Sequence, residues 1–116
     1  MGRYIECGED FVYKYAVNQQ SELSLIHDML GIGRLNHHSA EESYVNGCEV
    51  LLLIKRDIKK LKKYFDSRVK QIEREEKLGF QELSIDEVNF LRMINHLLEY
   101  AEKHPNKDVY AFDNEL

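Results

Sequence analysis

The chain has 116 residues, 43% of them hydrophobic and 32% charged, with a formal net charge of -5. That size suits one domain, residues 1-116, and that balance excludes a disordered chain and describes a globule with a heavily charged exterior. The longest apolar run, Val50 to Ile54, is far too short to span a bilayer, and "MGRYIECGED" lacks an apolar signal core; we therefore expect no membrane association and a cytoplasmic location.

Two β-rich runs, "RYIEC" and "FVYKYAV", are separated by "GED", which suits an antiparallel hairpin with Phe11, Tyr13, Tyr15 and Val17 on its core face. A short helix follows. Ser21 is its expected N-cap, Leu23, Ile26 and Leu30 give it helical spacing, and Gly31 and Gly33 end it. Residues 34 to 46 show no clear period and are expected to be mostly loop. From about Gly47 to Leu78 the spacing predicts a long helix, because Ile54, Ile58, Leu61, Phe65, Val69 and Ile72 recur at steps of four and three. A third helix opens at Ser84, with Glu87 in capping-box spacing. It carries Val88, Leu91, Ile94, Leu98 and Ala101 on one side and stops before Pro105. The run Val109 to Phe112 offers a last strand. The expected fold class is α+β: a small antiparallel sheet, made of the N-terminal hairpin and the C-terminal strand, packed on a long antiparallel helix pair and one shorter helix.

Residues 55 to 70 concentrate charge. They carry eight basic and two acidic side chains, a local charge of +6 that leaves -11 for the rest of the chain. With Ile54 as the origin, Lys55, Arg56, Lys59, Lys60, Lys62, Lys63 and Lys70 project between roughly 80° and 240°, opposite the apolar stripe, and Arg68 lies near its edge. These seven form the candidate interaction face. It is mostly lysine, Tyr64 is its one nearby tyrosine, and the whole chain is acidic, so a solvated helix face is expected ahead of a nucleic-acid grip.

Other constellations are weaker. His37 and His38, with His27 and Cys48, offer metal-binding atoms, but their spacing matches no zinc finger or ribbon, and neighbouring residues of an extended chain point apart. His96, Glu99 and Tyr100 supply at most one side of a site. Cys7 falls at the hairpin and Cys48 at the expected helix start, where the helix dipole favours a thiolate; both are expected to be reduced, buried small hydrophobes. "GIGR" follows a helix instead of preceding one, so it is no phosphate loop. The hairpin aromatics are needed for the core before they are free to stack on bases. We expect no catalytic residues, metal or cofactor.

The sequence thus points to a non-enzymatic intracellular interaction or regulatory protein, partnered by another protein or by a second copy of itself as a homodimer. A nucleic-acid-associated role for the lysine face is the second reading. A metal-dependent or thiol enzyme is the third.

Overall fold

The computed structural model describes residues 2–7, 11–16, 23–38, 48–79 and 84–115. Along the chain these form β1 (Gly2–Cys7), β2 (Phe11–Ala16), α1 (Leu23–Leu30), β3 (Arg34–His38), β4 (Cys48–Ile54), α2 (Lys55–Lys77), α3 (Ile85–Lys103) and β5 (Val109–Glu115). The fold is α+β, an antiparallel sheet with a long helix pair and one shorter helix. The hairpin and the C-terminal strand form as the patterning predicts. The sheet is larger than expected, however, with five strands in the order β2-β1-β5-β4-β3, every neighbouring pair antiparallel.

Two expectations are corrected here. The first part of the expected loop, Arg34–His38, is a strand paired with β4, Leu35 opposite Leu51 and Asn36 opposite Val50, and residues 39 to 46 lie outside the described residues. Nor does the long helix begin near Gly47. Cys48–Ile54 is a strand, and the helix starts at Lys55. Leu51 and Leu53 are fully buried while Ile54 is 39% exposed, an alternation of period two that no helix produces. Ile54 serves instead as the residue before the first helical turn, its backbone N–H donating to Asp57 Oδ2 at 3.0 Å. A consequence falls on Cys48, which begins a strand seven residues ahead of α2 and so receives nothing from that helix's dipole.

β5 lies in the middle of the sheet, between β1 and β4. It alternates like β4: Tyr110 and Phe112 are buried, opposite Leu53 and Leu51, and Val109 is exposed. With Ile5 and Cys7 of β1 they make the sheet's side of the core. The helical side is Leu23 and Ile26 of α1, Leu61 of α2, and Phe90, Met93, Ile94, Leu97, Tyr100 and Ala101 of α3. Side chains of β2 and the expected cap Ser21 lie outside the described residues.

Gly33 shows why the turn between α1 and β3 is built as it is. Its φ of +81° is left-handed, and a Cβ there would lie 2.6 Å from Leu53 Cδ2 and 3.0 Å from the Leu52 carbonyl oxygen. Only glycine lets the chain pass so close to β4. The His27 ring secures the same turn, its Nδ1–H donating to the Gly33 carbonyl at 3.2 Å.

Candidate interaction surfaces

Helix α2 meets the core through its first half, where Ile58, Leu61, Tyr64 and Phe65 pack against it. Leu61 is its one fully buried side chain, while Ile58, Tyr64, Phe65, Val69 and Ile72 are half-buried. The cause is length: 23 residues of helix extend about 34 Å, whereas the seven-residue strands beneath reach about 24 Å. Among the described residues, the far half of α2 is covered by α3. Between them lies a groove of about 360 Å³. Its α2 wall is Phe65, Val69, Ile72 and Glu73; its α3 wall is Val88, Leu91, Arg92 and Asn95. The floor is apolar, and Glu73 and Arg92 bring opposite charges to it. At the tip of the helix pair, Leu78 is 61% and Ile85 74% exposed.

A second cavity, of about 380 Å³, opens where Leu25 and Met29 of α1 meet Tyr64 and the first turns of α3. Ser84, Asp86, Glu87 and Phe90 complete it. Ser84 caps α3 as its sequence predicts, its Oγ accepting the Glu87 N–H at 3.2 Å. The Glu87 carboxylate turns across to Arg68 of α2, with which it forms a half-buried, charge-assisted hydrogen bond. That bond raises the Arg68 guanidinium further above its ordinary range. Burial, then the nearby Glu87 charge, raise the Tyr64 phenol, and Arg68 opposes them. Tyr64 meets Phe90 edge to face, the ring centroids 6.4 Å apart.

The seven residues of the candidate face, Lys55, Arg56, Lys59, Lys60, Lys62, Lys63 and Lys70, are all exposed. Lys62 pairs with Asp66 at 3.6 Å, a contact between side chains more than half exposed, which contributes little. The two aromatics close to the face in sequence turn elsewhere, Tyr64 into the second cavity and Phe65 into the groove, and give it no stacking platform.

The other candidate groups separate. Glu99 accepts a hydrogen bond from Asn95 at 3.1 Å, and Tyr100 is buried against the sheet, stacked on His104 at 4.1 Å and edge-on to Tyr110 and Phe112. His96 and Glu99 are exposed on α3, whereas Tyr100 faces the core. His27 is committed to the turn at Gly33. The β3–β4 register sets His37 opposite Glu49 and His38 opposite Cys48, a pairing invisible while those residues were assigned to a loop and a helix. Among the described residues no three potential ligands gather into a metal site. Cys7 is a free, buried thiol.

The groove's α3 wall was only half legible. Phe90, Met93, Leu97 and Tyr100 give α3 a second apolar stripe, and this one is the core face, leaving Val88 half-buried on the other side. A helix apolar over so much of its circumference has more than one surface to cover. No described helix is long and apolar enough to cross a membrane. Comparison with protein families, with curated proteins and with solved structures finds no match for the chain.

Proposed function

We propose that the protein is a non-enzymatic intracellular interaction module whose working surface is the projecting half of the α2–α3 helix pair. The observation that carries this reading is the groove itself: Phe65, Val69 and Ile72 stand at helical spacing, only half covered, facing Val88 and Leu91 of α3. Apolar side chains arranged at i, i+4 and i+7 across two helices are what an amphipathic helix of a partner fits. A photo-crosslinking residue placed at Glu73, on the groove, is expected to give a discrete adduct in cells, while the same group at Asp108, beyond α3, gives none. Equal labelling from both positions, or none from either, would remove this reading.

The second reading, a polyanion contact through α2, is favoured by one observation: all seven basic groups of the candidate face are exposed on a single helix. It is weaker because no aromatic side chain joins them.

A further inference from the structure

The interaction reading leaves open what fills the groove, and the charge pattern of α2 narrows it. With Ile72 as origin and 100° per residue, Val69 lies near about 60°, Lys62 near 80°, Glu73 near 100° and Glu76 near 40°. One side of the helix therefore carries a basic group seven residues before Val69, paired at 3.6 Å with Asp66 of its own helix, and acidic groups four and seven residues after Val69. Lys62, Glu73 and Glu76 are all exposed.

A helix with this polarity complements itself when turned end for end. An antiparallel contact centred on Val69 sets Lys62 beside Glu76 of the second copy, and Glu76 beside the second copy's Lys62. A parallel contact would set like charges together. The twofold arrangement also makes each charge contact twice, as an isologous interface requires. We infer that the groove is the seat of α2 from a second copy of this chain, packed antiparallel about Val69 so that two helix pairs form a four-helix layer. This inference rests on the interaction reading and names its partner. Glu73 and Arg92, of opposite charge, flank the apolar contact and give the interface a polar rim.

Light scattering and sedimentation test it. The purified chain is expected to have the mass of a dimer at roughly 200 µM, and Lys62→Glu or Glu76→Lys alone to weaken association by about tenfold or more. The double variant K62E/E76K restores the pairing with its signs exchanged and should recover the dimer. Both positions are exposed, so the fold tolerates each change, and helical circular dichroism controls for it. A wild type that stays monomeric, or a double variant no better than the single ones, overturns the inference. In the monomeric case an apolar dye separates the two claims. Dye binding abolished by Val69→Asp keeps the groove as a docking site for another protein, whereas no binding to the wild type removes the interaction reading as well.

Discussion

Two residues show how local chemistry fixes this fold. Gly33 combines a left-handed backbone with no room for a Cβ, whereas Gly31, at φ +65°, has nothing within 4 Å of where its Cβ would stand. Gly33→Ala is therefore expected to cost about 2 to 4 kcal/mol, from strain plus overpacking against Leu53, and Gly31→Ala only about 1 kcal/mol, from strain alone. Urea midpoints of the two variants check this, and equal losses would show that the contact with β4 is not what requires glycine. Tyr100 supplies a pH test. Its phenol is buried and accepts a hydrogen bond from Lys107 Nζ at 2.7 Å. Burial raises its pKa above the ordinary 10.0, with Lys107 acting against the rise and the neighbouring Cys7 adding to it. A raised folded value means the fold favours the protonated phenol. The stability tied to it is thus fully present below the unfolded pKa near 10 and is lost as pH climbs through the folded one. Urea midpoints are expected to fall as pH rises above about 10, and less steeply in Tyr100→Phe, which also loses about 1 kcal/mol at neutral pH with its hydrogen bond. An unchanged slope would assign the alkaline loss to other groups.

At the scale of elements, what could be read from the sequence depended on whether a period was on display. α3 announces itself by Ser84, Glu87 and a Pro105 stop, and the far part of α2 by its steps of three and four. β4 hides because "VLLLI" is apolar at every position: one face packs on the helices, and the other carries Val50, Leu52 and Ile54, half-buried or exposed. A continuous apolar run fits a buried strand and a buried helix equally, and the helical period that follows it puts the expected boundary about eight residues too early. β3 was missed for the opposite reason. "RLNHH" has a single apolar residue, and it is a strand because β4 offers it a backbone ladder, which is a tertiary fact. Since Leu61 is the one side chain of α2 that is fully buried in the core, beside the half-buried Ile58, Tyr64 and Phe65, Leu61→Ala is expected to cost roughly 2 to 5 kcal/mol. Val69→Ala, in the open groove, should cost the isolated monomer well under half as much, because its side chain already meets solvent. Chemical denaturation of the two variants at low concentration makes the comparison. A larger loss at Val69 would mean the groove is closed in solution.

For the molecule as a whole, the question is where the separated charge acts. The basic stretch from Lys55 to Lys70 and the acidic remainder face the same solvent, and a screening length of about 8 Å at physiological ionic strength confines each to its own neighbourhood. A polyanion can therefore approach the lysines without feeling the full net charge, so acidity alone does not decide against it. Affinity does. Lysines without aromatic partners hold phosphates as point charges, giving contacts of roughly 10⁻⁴ to 10⁻⁶ M at physiological salt. We expect the protein to bind duplex DNA or RNA no more tightly than this. Reversing Lys59, Lys60 and Lys63 to Glu should leave folding stability within about 0.5 kcal/mol per residue, since all three are exposed and none is tied to the core. The reversals also spare Lys62, and so should leave the twofold pairing of α2 intact. Salt titrations of nucleic-acid binding and the mass of the triple variant together separate the two uses of this helix. Submicromolar binding at physiological salt, lost in the triple variant, would make the lysine face the working surface. A triple variant that binds nothing, folds normally and retains its dimer mass would place the function in the groove behind it.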